Sequence, residues 1–375
     1  MTGFVPPAYP YDRLAPIVEL ASAHEGGAVD LSVGAPCDPP APSVLRALAE
    51  SGAERGYPSS IGSQRLRAAA AEWFDRRLGV AVDAATVAAC VGTKEFVAGV
   101  PHWLRLRDPS RDTVLYPAVS YPSYAMGAQL AGCRAVAVPV DEQWRLDPGQ
   151  IDPTDAARAL CVWSNTPGNP AGGLDDLGAL ADWGREHDVP VLSDECYVEF
   201  TWQGPGRGVV GLPGESILAH GSEGVLAVHS LSKRSNLAGV RVGFYAGDPE
   251  LVAYLSEVRK HAGLMVPGPA QAAAVAALGD DDHVVAQRDR YLRRLEVLAR
   301  MLRSIGLTAA LPGGGFYLWV PAPGGDAWAL TVSLAERLGV VGSPGEFYGT
   351  AAAGYVRLAA VQPDERIDLL IRRLG

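Results

Sequence analysis

The chain has 375 residues, of which 48% are hydrophobic and 20% charged, and its formal net charge is −10. This length exceeds one ordinary hydrophobic core, so we expect a globular, soluble protein with two packed domains. The acidic balance argues against nucleic acid as a partner, because binding to a phosphate backbone requires clustered basic residues.

Motifs for metal binding, export and membrane insertion are missing from the sequence. The five cysteines are scattered without a CxxC pair and the seven histidines form no HExxH or HxH pair, so neither a disulfide framework nor a metal site is predicted. Residues 1–20 show no basic stretch followed by an apolar run, and no window reaches the length of a membrane span. We therefore expect a cytoplasmic protein with no metal and no membrane partner.

Helical and strand patterns alternate along the first two thirds of the chain. Helices are predicted over residues 64–78, 94–106, 123–131 and 174–187. Strands are predicted over the apolar runs 87–91, 113–116, 135–138, 159–163, 189–193, 226–229 and 240–246. Apolar runs without polar alternation suit strands buried on both faces, which favours an α/β fold with a mostly parallel sheet flanked by helices.

The pattern after Asp248 changes to helices followed by a smaller α+β unit. Helices are predicted over residues 251–262, 269–278, 283–305 and 363–374, and strands over 316–320 and 355–360. The proline-rich N-terminal segment is expected to pack against this smaller unit. The predicted organisation is an N-terminal arm with part of the small domain (1–43), a large cofactor-binding domain (44–248), an inter-domain helical segment (249–282) and a small C-terminal domain (283–375).

Lysine is rare in this chain, which makes Lys233 informative. Only Lys94, Lys233 and Lys260 occur, which leaves 29 arginines among the 32 lysine and arginine residues. A lysine amine can lose its proton and attack a carbonyl, whereas arginine stays protonated. Ser230 precedes Lys233 by three residues and Arg241 follows it by eight. An amine for an aldehyde, with a hydroxyl and a guanidinium for a phosphate, suits a Schiff base to pyridoxal 5′-phosphate (PLP); a surface lysine is the alternative.

Two further polar groups follow predicted strands, where an open α/β sheet places its ligands. Gly92, Thr93 and Lys94 stand between a strand and a helix, so that backbone N–H groups and the Thr93 hydroxyl can bind a phosphate, although such a start is often only a helix cap. Residues 165–172 form a loop rich in proline and glycine, from which Asn169 can donate to a phenolate oxygen. A turn without a ligand is the alternative for that loop.

Asp194 and Tyr197 follow the next predicted strand. An aspartate at a strand end can pair with a protonated pyridine nitrogen and hold its positive charge, which makes the ring an electron sink. Tyr197 can donate to the phenolic oxygen of the same ring, and Tyr121 can stack on it. In isolation, Asp194 with Glu195 would also suit a metal or a helix cap, and Tyr121 would suit the core.

These motifs, in this order and spacing, resemble the fold type I PLP enzymes of the aspartate-aminotransferase superfamily. The resemblance covers essentially the whole chain, from Gly34 through Tyr57 in GYP to Arg357 in YVRL. It implies an aminotransferase of class I/II in which Arg357 binds the substrate α-carboxylate through two parallel hydrogen bonds. It also implies that Gly34 and Asn169 contact the substrate, and that Tyr57 reaches the cofactor phosphate of the other subunit of a homodimer.

Four strings are similar to those of actinobacterial N-succinyldiaminopimelate aminotransferases. They are GTKE at 92–95, SDECY at 193–197, AVHSLSK at 227–233 and RKHAG at 259–263. The chain departs from that pattern at Gly168 and Ala171, where serine and threonine are expected. These changes keep the chemistry but leave the substrate open.

The resemblance implies a ping-pong transamination from N-succinyl-L,L-diaminopimelate, in lysine biosynthesis, to 2-oxoglutarate. Lys233 would hold the cofactor and then move the Cα proton as a general acid–base, and Asp194 would keep the pyridinium protonated. Asn169 and Tyr197 would hold the phenolic oxygen of the ring.

Alternatives remain for how the distal end of the donor is recognised and for which reaction is catalysed. Lys260, beside Arg259, is predicted to bind a distal carboxylate of the donor, with a solvated helix face as the alternative. Another PLP reaction on the same scaffold, either β- or γ-elimination or replacement or a transamination in a specialised pathway, remains open. A regulator with an aminotransferase-like domain is disfavoured. Such proteins normally carry an N-terminal helix-turn-helix, whereas the enzyme pattern of this chain begins within its first forty residues. The GxGxxG string at 206–211 is not followed by a helix pattern, so no dinucleotide site is predicted.

Overall fold

The computed structural model describes residues 4–202 and 213–374, so the GxGxxG string at 206–211 lies outside the described residues. The chain divides into two compact units. The larger comprises Ala35–Arg290 with Pro312–Gly315, and the smaller Met1–Gly34, Tyr291–Leu311 and Phe316–Gly375. The predicted domain limits at 43, 248 and 282 differ from these divisions and stay a prediction. No helix in the described part of the chain is long and apolar enough to cross a membrane.

A seven-stranded sheet forms the centre of the larger unit. Its strands are β1 Val87–Cys90, β2 Thr113–Pro117, β3 Arg134–Val138, β4 Ala159–Asn165, β5 Val191–Asp194, β6 Val225–Ser230 and β7 Gly243–Gly247. Their spatial order is β1-β7-β6-β5-β4-β2-β3, and all neighbours are parallel except β7, which is antiparallel to both β1 and β6. Every residue of β1, β4, β5, β6 and β7 is buried, which explains why these strands are apolar up to the polar residues that end β4, β5 and β6.

The helices of the larger unit precede the sheet, connect its strands or follow it along the chain. They are Pro42–Ala49, Gln64–Trp73, Thr93–Arg107, Ser123–Leu130, Pro153–Ala156, Leu177–His187, Leu231–Arg234, Pro249–His261 and Gly268–Leu278. The helix predicted over 251–262 begins two residues earlier, at Pro249. The reason is the N-cap: the carboxylate of Asp248 accepts hydrogen bonds from the backbone N–H groups of Glu250 and Leu251 at 2.9 and 3.0 Å.

The prediction of a strand over residues 240–246 was wrong at its start. Arg241 has φ 60° and ψ 51°, a left-handed conformation that no strand residue adopts, and Ala238–Val240 forms a 3₁₀ turn. Strand β7 therefore begins only at Gly243. The consequence is that Arg241 lies outside the sheet, in the loop that leads into β7.

The smaller unit contains a three-stranded antiparallel sheet in the order Ser343–Pro344, Tyr355–Ala359, Tyr317–Pro321. Val29–Asp30 pairs in parallel with Val340–Val341. The helices of this unit are Ala15–Ser22, Ala327–Leu338 and Asp364–Arg372, and the 23-residue helix Asp282–Ser304 contributes its C-terminal part. The strands of two residues were not predicted, because a pair of residues carries no periodic signal.

Candidate functional site

The register of the large sheet aligns the strand ends that precede the predicted ligands. Cys90 at the end of β1 lies opposite Gly243 of β7, which lies opposite Ser230 at the end of β6. On the other side of β6, β5 ends at Asp194, opposite Asn165 at the end of β4. The predicted cofactor ligands therefore follow strands that end along one edge of the sheet, where α/β proteins bind ligands.

Gly92 and Arg241 meet at the start of the helix Thr93–Arg107. Gly92 has φ 73°, and a Cβ built on it would lie 2.7 Å from Cζ of Arg241 and closer still to Nη2. The guanidinium is held by a 2.8 Å hydrogen bond from Nη1 to the carbonyl of Ala238. A guanidinium against a helix N-terminus concentrates positive charge and N–H donors, which suits a phosphate dianion.

Ser230 and Lys233 lie at the neighbouring strand end. Ser230 Oγ accepts a 3.1 Å hydrogen bond from the N–H of Ser232 and so caps the short helix Leu231–Arg234. A hydroxyl that accepts one bond still has its own O–H to donate. Lys233 is half-buried on that helix.

A buried ion cluster fixes the residue after Lys233. Arg234 Nε lies 3.1 Å from one carboxylate oxygen of Glu199, and Arg77 Nη2 lies 2.8 Å from the other. The indole of Trp73 also donates to Glu199 at 2.8 Å. Burial raises the pKa of Glu199, but the two arginines outweigh it and the net shift is downward, so the carboxylate is charged. Sequence reasoning missed this cluster, which anchors the helix that bears Lys233.

Asp194 presents a buried carboxylate held from two sides. Its Oδ2 accepts a 2.9 Å hydrogen bond from the hydroxyl of Tyr124, and its Oδ1 accepts one of 3.2 Å from the N–H of Cys196. Burial raises the pKa of Asp194 against the opposing effect of these bonds. A protonated pyridine nitrogen beside it would favour the charged carboxylate.

Tyr124 was not predicted as a site residue. Burial, and then the charge of Asp194, raise the pKa of Tyr124 well above its usual value, so the phenol stays protonated and donates. Its ring also packs on Trp163 of β4, with ring centroids 5.1 Å apart. The only signal in the sequence was its spacing, three residues after Tyr121 on a predicted helix.

Tyr121, Thr93 and Lys94 are brought together with these groups. The ammonium of Lys94 lies 5.9 Å from the ring centroid of Tyr121, within the range of a cation–π interaction, and that ring lies edge-on to Tyr124. Thr93 Oγ1 lies 3.3 Å from Sγ of Cys196, which links the helix start to the segment after Asp194.

The loop after β4 is tied to the same strand ends. Asn165 donates from Nδ2 to the carbonyl of Asp194 at 3.0 Å, and its Oδ1 accepts a 2.8 Å bond from the N–H of Asn169. Asn169 and Tyr197 are both buried. A phosphate cradle, a buried carboxylate and two polar side chains along one sheet edge fit the predicted PLP.

Arg357 forms a separate polar group in the smaller unit. It is buried, and its Nη2 donates to Tyr11 Oη at 3.2 Å and to the carbonyl of Ser32. The rings of Tyr317 and Tyr348 lie 4.3 and 4.7 Å from the guanidinium carbon. Aromatic rings against a guanidinium fix its plane, as two parallel hydrogen bonds to a carboxylate require.

Gly34 contacts the same aromatic group. A Cβ on Gly34 would lie 2.8 Å from Cε1 and Cζ of Tyr317 and closer still to its Oη. Only glycine therefore allows this ring to remain beside Arg357. Tyr11, Tyr317 and Tyr348 were not predicted.

Two predicted site residues, Tyr57 and Lys260, have side chains that are mostly exposed to solvent. Tyr57 is 98% exposed. Lys260 is 59% exposed and lies 3.5 Å from Glu257 on its own helix, whereas Arg259 is buried and pairs with Glu95. These contacts favour a solvated helix face for Lys260, and its substrate role stays a prediction.

Comparison with known sequences gives matches over the whole chain. The family model described as aminotransferase class I and II matches residues 27–374. The 4-dedimethylamino-4-oxo-anhydrotetracycline transaminase OxyQ of Streptomyces rimosus is 42% identical, over 98% of this chain and 99% of its own. An LL-diaminopimelate aminotransferase of Dehalococcoides mccartyi is 32% identical, over 98% of this chain and 96% of its own.

Solved structures share the fold. A probable N-succinyldiaminopimelate aminotransferase of Thermus thermophilus superposes with a TM-score of 0.85 at 29% identity, covering 97% of this chain and 99% of its own. An aminotransferase of Neisseria meningitidis gives 0.87 at 28% identity, covering 98% and 96%. The prediction of a fold type I structure with a mainly parallel sheet is confirmed.

Proposed function

Because the chain belongs to the aminotransferases of class I and II, we propose that it transfers an amino group from an amino-acid donor to a 2-oxo acid with Lys233 as its catalytic lysine. Enzymes of this family depend on PLP, which supplies an electron sink for the carbanion formed at Cα. The family, the enzyme class and the cofactor predicted from the motifs are confirmed.

The roles of the larger unit follow from its contacts. Gly92, Thr93, Ser230 and Arg241 would hold the cofactor phosphate through N–H groups, hydroxyls and the guanidinium. Lys233 would move the proton at Cα, since a lysine amine can be both base and acid. The observation that carries this proposal is the close approach of the Arg241 guanidinium to Gly92: a Cβ there would lie 2.7 Å from Cζ, so a larger residue at 92 would displace the guanidinium from the helix N-terminus.

Asp194 and the loop after β4 would orient the cofactor ring. The carboxylate of Asp194, held by Tyr124 and Cys196, would retain the proton on the pyridine nitrogen. Asn169 and Tyr197 would donate to the phenolic oxygen. Tyr121 would stack on the ring.

Arg357 would bind the α-carboxylate of the donor, with Gly34 and Asn169 also in contact with the substrate. Its guanidinium plane is set by Tyr317 and Tyr348, which supports recognition of a planar carboxylate. A homodimer in which Tyr57 reaches the cofactor phosphate of the partner subunit is part of the proposal, and the 98% exposure of Tyr57 leaves its ring available for such a contact.

The proposed donor is N-succinyl-L,L-diaminopimelate, with 2-oxoglutarate as the acceptor, in lysine biosynthesis. Similarity to a probable N-succinyldiaminopimelate aminotransferase and to an LL-diaminopimelate aminotransferase supports a diaminopimelate-type donor. A second candidate is a transamination in a specialised pathway. It is favoured by the 42% identity to OxyQ, which is named as a 4-dedimethylamino-4-oxo-anhydrotetracycline transaminase, and by the exposed position of Lys260.

A donor screen distinguishes these candidates. The PLP-loaded protein is mixed in turn with N-succinyl-L,L-diaminopimelate, LL-diaminopimelate, L-glutamate and L-alanine, and the change in cofactor absorbance is followed. Fastest conversion by the succinylated donor supports the first candidate. Amino transfer to a polycyclic aromatic ketone, without any reaction of the succinylated donor, supports the second. Ammonia released together with a keto acid when no acceptor is present would instead indicate elimination.

A further inference from the structure

Arg259 and Glu95 form a paired contact between two helices, in which Arg259 is buried and the side chain of Glu95 is 25% exposed. Arg259 Nη1 and Nη2 donate to the two carboxylate oxygens of Glu95 at 2.6 and 2.8 Å. The side chain of Arg259 is only 1% exposed. The rings of Phe96 and Tyr245 lie 5.5 and 5.9 Å from its guanidinium carbon. This arginine therefore has one fixed position, on the helix Pro249–His261.

Glu95 also holds the turn before its own helix. It is the third residue of the helix Thr93–Arg107, and its Oε2 accepts a 3.2 Å hydrogen bond from the N–H of Val91. A glutamate at this helix position that bonds back to the preceding backbone is a capping interaction. The turn it fixes contains Gly92, the residue against which Arg241 lies.

The negative charge of Glu95 lies close to the proposed phosphate site, at the same helix N-terminus. The N-terminus of a helix favours one anion through its dipole and its open N–H groups, and the proposed phosphate site uses those same groups. A carboxylate in the first turn repels a phosphate there, unless a nearby cation offsets it. The two hydrogen bonds from Arg259 supply that cation while Oε2 keeps its bond to Val91.

We propose that Arg259 is a positioning residue for the cofactor phosphate: it neutralises Glu95, so that this carboxylate can fix the turn at Val91 and Gly92 without repelling the phosphate. The proposal rests on the proposed phosphate site at Gly92, Thr93, Ser230 and Arg241. It assigns Arg259 to the cofactor and not to the distal end of the donor.

The test measures the Kd of the apoprotein for PLP and for pyridoxal, which lacks the phosphate. Arg259→Met leaves the carboxylate of Glu95 without its cation, and we expect the Kd for PLP to rise about 10- to 100-fold, by analogy with the loss of metal affinity when a residue that supports a metal ligand is removed. The Kd for pyridoxal should change far less. Glu95→Gln keeps an acceptor for Val91 and removes the negative charge, so its Kd for PLP should rise far less than that of Arg259→Met.

The double variant Arg259→Met/Glu95→Gln separates charge from packing. It contains no unpaired charge at this position, so its PLP affinity should return most of the way to the wild-type value. If Arg259→Met alone does not fold, the comparison of Glu95→Gln and the double variant with the wild type still decides. A large, PLP-specific loss in the double variant would overturn the proposal, and so would equal losses in Arg259→Met and Glu95→Gln.

Two controls complete the experiment. Arg294→Met removes another buried arginine, paired with Asp364 at 2.5 Å in the smaller unit, and should lower stability without changing the ratio of the two Kd values. Arg241→Met should weaken PLP selectively, and no such loss would refute the phosphate site itself. Equal weakening of PLP and pyridoxal by Arg259→Met, beside a selective loss in Arg241→Met, would refute only the role of Arg259.

Discussion

The hydroxyl of Tyr124 donates a 2.9 Å hydrogen bond to Oδ2 of Asp194, and both side chains are buried. The two residues come from different elements, the helix Ser123–Leu130 and the end of β5. Burial raises the pKa of Asp194, and this hydrogen bond acts in the opposite direction by favouring the charged form. Tyr124 therefore supports the charge that the proposed role of Asp194 requires.

Tyr124→Phe should slow the reaction with amino donors about 10- to 100-fold, because a hydrogen bond to a charged group contributes about 1.5–3 kcal/mol. The pKa of Asp194 should rise, so the acid limb of the pH–rate profile should move to higher pH. Stopped-flow absorbance across pH measures both effects. Tyr254→Phe removes the 2.8 Å bond of a partly buried phenol to the carbonyl of Trp103 and is the control. An unshifted profile in Tyr124→Phe would contradict the role of this bond.

Lys233→Arg and Lys233→Ala should both abolish transamination, because a guanidinium does not lose its proton to become a nucleophile. PLP should still bind through its phosphate, but without the absorbance band of the lysine-linked cofactor. Added methylamine should restore part of the activity of Lys233→Ala and none of that of Lys233→Arg. Wild-type turnover by Lys233→Ala without added amine would show that another residue is the catalytic lysine.

Gly34→Ala should raise KM for amino-acid donors, because the new methyl group overlaps the ring of Tyr317 beside Arg357. Removing the hydroxyl of that ring, in Gly34→Ala/Tyr317→Phe, should recover part of the loss. Gly354→Ala is the matched control, since its Cβ would meet only ordinary contacts of 3.7 Å. Steady-state kinetics give KM for each variant. A wild-type KM in Gly34→Ala would show that the ring of Tyr317 can move away from the new methyl group without weakening donor binding.

Lys260→Ala should have the same small effect on KM for N-succinyl-L,L-diaminopimelate and on KM for L-alanine, because the side chain is 59% exposed and its ion pair is with Glu257. An exposed ion pair of this kind contributes little. Steady-state assays with both donors test this. A selective rise in KM for the succinylated donor would instead support the distal-carboxylate role predicted from the sequence.

Asp175→Asn should flatten the dependence of stability on pH. Burial raises the pKa of Asp175 to about 6, although Ser164 and the N–H of Leu146 donate to its carboxylate at 2.6 and 2.8 Å. The folded state therefore holds this proton more tightly than the unfolded state, and the associated stability, roughly 3 kcal/mol, is present below about pH 4 and is lost as pH rises through about 6.

Urea unfolding of the wild type and Asp175→Asn at several pH values between 4 and 7 measures this difference. Relative to the wild type, the variant should gain stability as pH rises through that window. Asp182→Asn, at a position whose side chain is 79% exposed, should leave the pH dependence of the wild type unchanged. Parallel curves for the wild type and Asp175→Asn would refute the assignment.

Much of the large sheet was predictable, because strands buried on both faces are rich in apolar residues. The run over residues 159–163 became β4 and that over 226–229 became β6, each extended by one or two residues. Strand β7 begins later than predicted because of the local backbone: the left-handed conformation of Arg241 delays its start. The sequence also singled out Lys233, because lysine is scarce in this chain and the polar residues nearby stand at short, ordered spacings; its catalytic role stays a prediction.

The amino-acid sequence by itself determined the fold class, the family and the cofactor, because apolar periodicity and short motifs are local properties of the chain. Only the tertiary structure decided which side chains, distant in sequence, bond to each other. Tyr124 reaches Asp194 across 70 residues, and Glu95 pairs with Arg259 across 164. Arg259 therefore bonds to Glu95 while Lys260, the next residue, is solvated. Such pairings depend on which faces of distant elements pack together, and consecutive residues on a helix point in different directions, so no local pattern specifies them.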